Sequence, residues 1–372
     1  MKKKILGIAV CMLLIITVFP VSATALSEKT FPSLTTGNTL YVGGSGPNNY
    51  TKIQDAINDA VNGDTIFVYD DSSPYYENII IEKSITLIGE MRETTCILGD
   101  NSSDAIVNIS ADDVSISGFT IQAYMGQPEG ILIVRHFTSP DYWNIDIIQN
   151  ATICDTSIKN TSSGIFGIRL NHGKLIGNII ENCRGSGILL YIPSNSTITN
   201  NCITSSFYRG IHIDGLWGPY RILNHRNPVP ENNIISYNIV RSNRWGIELN
   251  SGTVNTTISD NNITGNHEIG IQIFQASKTE ITRNNFFENS KNAYFDAVCV
   301  IRYPRFMQNT WDNNYWGEPK DAPVRINGTF YFIPFPRLPL SISFPNYEFN
   351  FKELPWVAFD WHPAQEPYDI GG

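Results

Sequence analysis

Residues 175–213 read LIGNIIENCRGSGILLYIPSNSTITNNCITSSFYRGIHI, which is two copies of one pattern. Each copy ends in glycine followed by isoleucine, at Gly187-Ile188 and at Gly210-Ile211. The same pair recurs at Gly167-Ile168, Gly246-Ile247 and Gly270-Ile271. Successive pairs lie 20, 23, 36 and 24 residues apart. A recurrent period of this size indicates stacked repeats rather than one globular core.

Each copy also places apolar residues at fixed distances before its glycine. The twelfth position before the glycine is apolar in four copies, at Leu175, Ile198, Ile234 and Ile258. The seventh position is apolar in the same copies, at Ile180, Ile203, Ile239 and Ile263. Alternating runs such as Ile211-His212-Ile213-Asp214 are typical of strands with one buried face. The pattern therefore predicts an all-β fold, a parallel β-helix whose equivalent positions form ladders along its axis.

Asparagine and glycine mark the corners between these short strands. The ninth position before the glycine holds Asn178, Asn201, Tyr237 and Asn261 in successive copies, and Asn284 holds it in a further copy that ends at Ala293. Asparagine tolerates tight corners, and stacked copies can hydrogen-bond to one another. The recurrent glycine is expected to supply a bend that a side chain would prevent. We interpret both residue types as structural.

Two copies carry insertions at the same corner, directly after the glycine-isoleucine strand. The segment from Ile213 to Ile234 spans 21 residues and the segment from Ile133 to Ile153 spans 20, where other copies use 8 or 9. Their coils are about three steps apart in the stack, so we expect the insertions to flank a common surface. Insertions on one corner of a solenoid often build its binding face.

The sequence predicts four segments along the chain. Residues 1–25 have the basic, apolar and small-residue order of a signal peptide, with an uncleaved anchor as the alternative. Residues 26–37 form a linker, and residues 38–303 form the β-helix, with a capping helix over 51–60. Residues 304–372, rich in proline and aromatic residues, are expected to be an irregular cap. A free tail that stacks on carbohydrate is the alternative for this last segment.

The composition favours an exported acidic protein. Removing the three lysines of residues 1–25 takes the formal charge from −9 to about −12, which argues against nucleic acid as a partner. No second apolar run is long enough to span a bilayer. Nine Asn-x-Ser/Thr sequons occur, at Asn49, Asn101, Asn108, Asn150, Asn160, Asn195, Asn255, Asn262 and Asn327.

Several segments resemble a known family. Residues 56–66 and 76–89 resemble the opening of right-handed parallel β-helix proteins, and the later Asn-Ile and Gly-Ile repeats are similar to the NosD-type β-helix. Residues 311–317 and 359–363 resemble the ends of archaeal surface proteins of this type. The resemblance implies right-handed coils over about residues 38–317 and a secreted or surface location. It does not imply one activity, because this fold serves lyases, hydrolases, epimerases and scaffolds alike.

The copper association of the NosD type does not transfer to these residues. Copper favours methionine, cysteine and histidine ligands. After residue 25 the chain holds only Met91, Met125 and Met307, and its histidines form no tight cluster in the sequence. We therefore expect no cofactor and no metal.

The outward-facing positions of the glycine-isoleucine strands carry the candidate chemistry. One outward column is predicted to hold Arg169, His212 and Glu248, and the next to hold Tyr191, Asp214 and Asn250. The insertions add Trp143, Trp217 and Tyr220 at the rim of this patch. Aromatic rings beside carboxylates and an arginine suit a glycan, because sugar rings stack and their hydroxyls hydrogen-bond. The plain alternative is a set of ordinary polar residues on a wet strand face.

Three functions remain open from the sequence. The preferred one is a secreted or surface β-helix protein that binds polysaccharide without turnover, through Tyr191, Asn250, Trp143, Trp217 and Tyr220. The second is a polysaccharide hydrolase or lyase that uses Asp214 and Glu248, assisted by His212 or Arg169. The third is a structural protein of the cell envelope. The small number of carboxylates on the patch favours the first over the second.

Overall fold

The computed structural model describes residues 37–124, 128–135, 145–215, 229–250, 252–300, 309–333 and 352–371. The predicted signal peptide and most of the predicted linker lie before the first of these ranges. Most of the described strands stack in parallel into three ladders, which we name sheets A, B and C; the last strand, Lys352–Asp360, joins sheets A and C. Each regular coil contributes one short strand to each sheet in turn, so the chain forms a parallel β-helix.

Sheet A consists of the strands Thr39–Val42, Thr65–Val68, Thr86–Gly89, Ser115–Ser117, Thr152–Cys154, Lys174–Ile176, Thr197–Thr199, Ile234–Ser236, Thr257–Ser259, Glu280–Thr282 and Thr310–Asp312. Sheet B consists of Cys96–Gly99, Thr120–Ala123, Ser157–Lys159, Ile179–Glu181, Cys202–Thr204, Ile239–Arg241, Asn262–Thr264 and Asn285–Phe287.

Sheet C consists of Ile79–Ile81, Ala105–Ile109, Glu129–Ile133, Ile165–Ile168, Ile188–Tyr191, Arg209–Asp214, Trp245–Leu249, Ile269–Phe274, Lys291–Val300 and Val324–Ile333. A short pair, Ile148–Gln149 with Leu170–Asn171, lies at the corner after sheet C. Both predicted insertions leave sheet C, from strands that are three steps apart in it.

The core is a set of apolar ladders inside the coils. In sheet A the inward residues are Leu175, Ile198, Ile235, Ile258 and Ile281, and all of them are buried. The predicted interior residues Ile234 and Ile239 are wrong by one position, because Ile235 and Val240 point inward instead. Ile234 is 44% exposed. Both pairs are adjacent apolar residues, so the pattern alone leaves the choice between them open.

A ladder of asparagines runs through the corner between sheets A and B. It contains Asn178, Asn201, Asn238, Asn261, Asn284 and Asn314. From Asn201 onward, the Oδ1 of each asparagine accepts both the backbone N–H and the Nδ2–H of the asparagine one coil earlier. Asn238 takes the place that the pattern assigned to Tyr237, because Cys202 pairs with Ile239. The ladder satisfies backbone groups that would otherwise be buried without partners.

The recurrent glycines are required by close packing, which corrects the expected reason for them. A Cβ atom built on Gly246 would lie 2.3 Å from the carbonyl oxygen of Gly270 in the next coil. Gly187 and Gly210 face the next glycine carbonyl in the same way, at 2.8 Å. None of these three glycines has the positive φ that a glycine-specific bend would require.

The two ends differ from the regular coils. The described helix is Ile53–Asp59, shorter than the predicted 51–60, and it buries Ile53, Ala56 and Ile57. At the other end, the part of the predicted irregular cap that the structure describes contains long strands. Val324–Ile333 extends sheet C, and Lys352–Asp360 pairs with it in antiparallel fashion.

The asparagine ladder ends on the carboxylate of Asp360, which is fully buried. Asp360 accepts hydrogen bonds from the backbone N–H groups of Asn313 and Asn314 and from Asn314 Nδ2. It also accepts one from Trp316 Nε1 at 3.0 Å. The last strand therefore supplies the final acceptor of the ladder.

Candidate functional site

The outward side chains of sheet C form a row that we name the outer column. In register from one coil to the next it consists of Asn108, Leu132, Phe166, Leu189, His212, Glu248 and Gln272. Adjacent members lie about 4.8 Å apart along the axis. His212 therefore stands beside Glu248 on neighbouring coils.

The structure does not place Arg169 in this column, which corrects the predicted register. Phe166 holds that position, because Ile165 pairs with Ile188 and so Gly164, rather than Gly167, matches Gly187. Arg169 lies just after the strand, with φ of 53°, and its Nη1 donates to the carbonyl oxygen of Ile145 at 2.6 Å. This contact ties the returning end of the first insertion to the coil.

Three ionisable side chains, those of His212, Asp214 and Glu248, meet at the outer column. Together with Arg209 and Trp245 we name them the polar cluster. His212 Nε2 lies 3.3 Å from Glu248 Oε2 and 3.7 Å from Asp214 Oδ2. Arg209 Nε donates a hydrogen bond to the same Oε2 of Glu248. Only 7% of the His212 side chain and 6% of the Glu248 side chain are exposed, against 14% for Asp214.

Burial sets the protonation of the polar cluster. Burial, with a smaller contribution from the positive charge of Arg209, lowers the pKa of His212 to about 3. Burial raises the pKa of Glu248 above its ordinary value, while Arg209 opposes this shift and Asp214 adds to it. At neutral pH His212 is therefore an uncharged hydrogen-bonding group.

Trp245 forms an aromatic edge beside the polar cluster. The guanidinium carbon of Arg209 lies 4.5 Å from the centroid of the Trp245 ring. Trp245 Nε1 donates to Glu268 Oε2 at 2.5 Å, and the other carboxylate oxygen of Glu268 accepts from Arg244 at 2.8 Å. These contacts hold the half-buried indole in one orientation.

A groove of about 860 Å³ opens over the other end of the outer column, and we name it the outer groove. Its lining includes the carboxylates of Glu82, Asp104 and Glu129 and the amide of Asn108. Its apolar floor consists of Leu132, Val134 and Phe166. Glu129 is anchored by Ser162 Oγ and by the backbone N–H of Ser163. Burial raises the pKa of Glu129, and its bonds to Ser163 and Ser162 oppose that shift.

An apolar patch shares Leu132 and Val134 with the outer groove. Ile145, at the end of the first insertion, packs with Leu132, Val134 and Ile168 on the outer face of sheet C. Tyr191 borders this patch, with its ring 5.6 Å from that of Phe166. Tyr191 also pairs with Asp214 across neighbouring coils.

Of the remaining predicted site residues, the structure describes Asn250. Asn250 follows Leu249 and donates its backbone N–H to the carbonyl of Ile213 at 2.8 Å, which places it beside Asp214. Trp143, Trp217 and Tyr220 lie outside the described residues, so their part in the site stays a prediction. Within the described ranges, no group of three or more histidine, cysteine or acidic side chains is arranged to hold a metal ion.

The residues that the sequence reasoning missed are Arg209 and Trp245. Both stand directly before a recurrent glycine, at Gly210 and Gly246, and they pair with each other in sheet C. The prediction considered only positions after the glycine. The position before it belongs to the same strand, and a cation followed by a tryptophan there was the available signal.

Comparison with known proteins agrees with this architecture. Residues 136–286 match a family model described as a right handed beta helix region. The coils are those of a right-handed parallel β-helix. The A-modules of the mannuronan C-5 epimerases AlgE6 and AlgE4 from Azotobacter vinelandii superpose with TM-scores of 0.51 and 0.53. They are 13% and 14% identical to this chain, each covers 70% of it, and the match covers 70% and 72% of the modules. At this identity the likeness shows the fold alone.

One relative is similar in sequence over much of the chain. A cell surface glycoprotein from Methanothermus fervidus is 28% identical over 328 residues, covering 72% of this chain. The match takes in 51% of the glycoprotein, so the chain spans about half the length of that relative. Across the ranges that the structure describes, no helix has the length and apolar character needed to cross a membrane.

Proposed function

We propose that this chain is the β-helix part of a cell-surface protein and that the outer face of sheet C binds a glycan without cleaving it. The surface assignment is supported by the likeness to the cell surface glycoprotein. The binding assignment is carried by one observation, the outer column, along which a groove and the polar cluster lie in line. From Asn108 to Glu248 the column spans roughly 24 Å, five coil steps.

The contacts inside the polar cluster favour binding over turnover. A hydrolase needs one carboxyl group that donates a proton to the leaving oxygen. Glu248 is instead held by Arg209 and its side chain is almost fully covered. His212, with its pKa lowered to about 3, holds no proton that it could give up as an imidazolium at neutral pH.

Cleavage of the glycan is the second candidate function, because the distance between two carboxylates of the polar cluster allows it. Glu248 Oε2 and Asp214 Oδ2 are measured from the same nitrogen of His212, so they are at most 7.0 Å apart, the sum of the two distances. Two carboxylates in hydrolases lie about 5 to 9.5 Å apart. If Asp214→Asn and Glu248→Gln leave the cleavage of every bound glycan unchanged, this candidate is excluded.

A scaffold role in the envelope is the third candidate. It is supported by the acidic composition, the nine sequons and the likeness to a glycoprotein. This role does not require a ligand on the outer column.

A glycan array of the chain from residue 26 onward tests the proposal. We expect saturable binding to a related set of glycans, and its loss in Trp245→Ala. The matched control is Trp361→Ala, because Trp361 is 62% exposed and lies in the last described segment. Loss of binding in the control alone would instead support a carbohydrate-stacking tail. Absence of binding, with control lectins active, would favour the scaffold role.

A further inference from the structure

Three arginines around the outer face of sheet C are already engaged by carboxylates. Arg135 Nη2 lies 2.5 Å from Asp112 Oδ1 in a second pocket, which shares Glu82 and Ser110 with the outer groove. Arg209 is bound to Glu248, and Arg244 is bound to Glu268. Two further described cations lie on the strands of this sheet beyond Gln272: Lys291, whose Nζ lies 4.0 Å from the centroid of the Tyr294 ring, and the exposed Arg325 of Val324–Ile333. An anionic ligand would therefore have to displace an existing ion pair to find a counter-charge along most of the column.

The outer groove, in contrast, carries carboxylates that no described cation neutralises. Glu82 and Asp104 are exposed in its lining. Glu129 is held by hydroxyl and backbone N–H groups rather than by a cation. A polymer with a carboxylate on each sugar would meet like charges here, and like charges placed together oppose binding.

The outer column also presents buried polar atoms without hydrogen-bond partners. Asn108 Oδ1 and Gln272 Oε1 are amide oxygens of this kind, and both can only accept a hydrogen bond. His212 Nε2, on a side chain more than nine-tenths buried, has no partner of hydrogen-bond geometry either. All three residues belong to the outer column: Asn108 and Gln272 lie at its two ends, and His212 lies between them. Two of them require donors, which sugar hydroxyl and amino groups supply and carboxylates do not.

From these contacts we infer that the glycan bound along the outer column carries no acid groups and is a neutral or amino-sugar chain. This inference rests on the proposed function and specifies its substrate class. It separates this chain from a binder of polyuronates, because the carboxylates of the outer groove repel such a ligand. The apolar floor of Leu132 and Phe166 accepts the sugar faces, and the acceptors along the column bind their hydroxyls.

Length-matched hexasaccharides test the inference by titration calorimetry at low and at high salt. The probes are cellohexaose, mannohexaose and the chitin hexasaccharide as neutral chains, the chitosan hexasaccharide as an amino chain, and hexamers of galacturonate and mannuronate. We expect the uronate hexamers to bind at least about tenfold more weakly than the best neutral or amino hexamer. The difference should shrink at high salt, because the repulsion is screened.

A charge-neutral variant separates repulsion from hydrogen bonding. Glu82→Gln with Asp104→Asn keeps side-chain acceptors in the outer groove and removes two charges. We expect neutral hexamers to bind within about threefold of the wild type, and the gap to the uronates to narrow. Uronate binding equal to or tighter than neutral binding in the wild type overturns the inference and leaves glycan binding intact. Failure of every hexamer to bind overturns the proposed function itself.

Discussion

The inside of the coils and the outer column of sheet C follow opposite rules. Inside, the same residue class returns at each step, as in the isoleucine, asparagine and glycine ladders. On the outer column the residue type changes along the axis, from Asn108 through the apolar Leu132, Phe166 and Leu189 to His212, Glu248 and Gln272. Repetition satisfies stacking, which places the same demand on every coil. Residue types that vary along one face therefore indicate a role other than the stacking of coils.

The outward residues of sheet A in the same coils sharpen this contrast. They are Lys174, Thr197, Ile234, Thr257 and Glu280, and they are exposed or half-buried. In sheet C the corresponding His212 and Glu248 are buried, although they also point away from the core. The difference makes sheet A the natural control for substitutions in sheet C.

The largest expected loss of stability follows from breaking the asparagine ladder. Asn238→Leu leaves the backbone N–H of Asn201 without its acceptor and removes the donor to the carbonyl of Ile198. We expect the free energy of unfolding to fall by about 3–4 kcal/mol, measured by chemical denaturation. Asn327→Leu, at an exposed position of the strand Val324–Ile333, is the control and should cost under about 0.5 kcal/mol. Equal losses in the two variants would contradict the role of the ladder.

A glycine of the ladder should rank next. In Gly246→Ala the new Cβ meets the carbonyl oxygen of Gly270, so the coils must separate, and we expect a loss of about 2 kcal/mol. Gly265 has φ of +60° and nothing near its Cβ position, so Gly265→Asn is the matched control. If thermal unfolding ranks Gly265→Asn as the more damaging change, the close approach of coils is not what selects glycine at position 246.

The buried histidine of the outer column makes stability depend on pH. The pKa of His212 is lowered from 6.5 to about 3, so the unfolded chain binds its proton at a higher pH than the folded one. The stability that this provides is complete above about pH 6.5 and is lost as the pH falls toward 3. We expect about 2 kcal/mol less stability at about pH 5 than at about pH 7 from this group.

The variant His212→Asn should reduce that pH dependence when unfolding is measured across the same range. The exposed His172 provides the control, and His172→Asn should keep the wild-type slope. An unchanged slope in His212→Asn would show that the histidine is not held uncharged in the folded chain.

The smallest expected effect on stability should come with the clearest effect on binding. Gln272→Leu removes an acceptor of the outer column, and Thr257→Val changes the outward position of sheet A in the same coil. Thr257→Val should change the unfolding free energy by under about 1 kcal/mol. Gln272→Leu should cost about 1–2 kcal/mol, because Gln272 Nε2 also donates to the buried Asp296 at 2.9 Å. Only Gln272→Leu should weaken glycan binding, by about fivefold, which is what one hydrogen bond contributes. Similar weakening in both variants would remove the distinction between the two faces.

The sequence predicted the coil architecture well because each coil packs on its neighbours in the same way, so the same residue types recur at equivalent positions. Its register failed where two residues satisfied the same pattern. Gly164-Ile165 and Gly167-Ile168 both read as the repeat, and only packing against the carbonyl of Gly187 selects Gly164. This slip brought Arg169 into the predicted patch. His212, Asp214 and Glu248 were placed together because their copies had no such ambiguity.

The burial of the polar cluster could not be predicted from the alternation of apolar and polar residues. Alternation assigns His212 and Glu248 to the outward face, and outward positions in a repeat are ordinarily wet. Their burial arises from tertiary contacts, including Arg209 from the coil of His212 itself. Consequently the lowered pKa of His212 and the engagement of Glu248 become visible only in three dimensions.

Carboxyl footprinting with and without bound glycan tests the central claim most directly. A carbodiimide and an amine label exposed carboxylates, and mass spectrometry reports each site. Glu82 and Asp104 lie in the outer groove of sheet C, while Glu280 is exposed on sheet A. With the tightest-binding oligosaccharide of the array at saturation, we predict that labelling of Glu82 and Asp104 falls severalfold and that of Glu280 does not change. Unchanged labelling of the groove, or protection of Glu280 instead, would contradict the claim that the outer face of sheet C is the binding site.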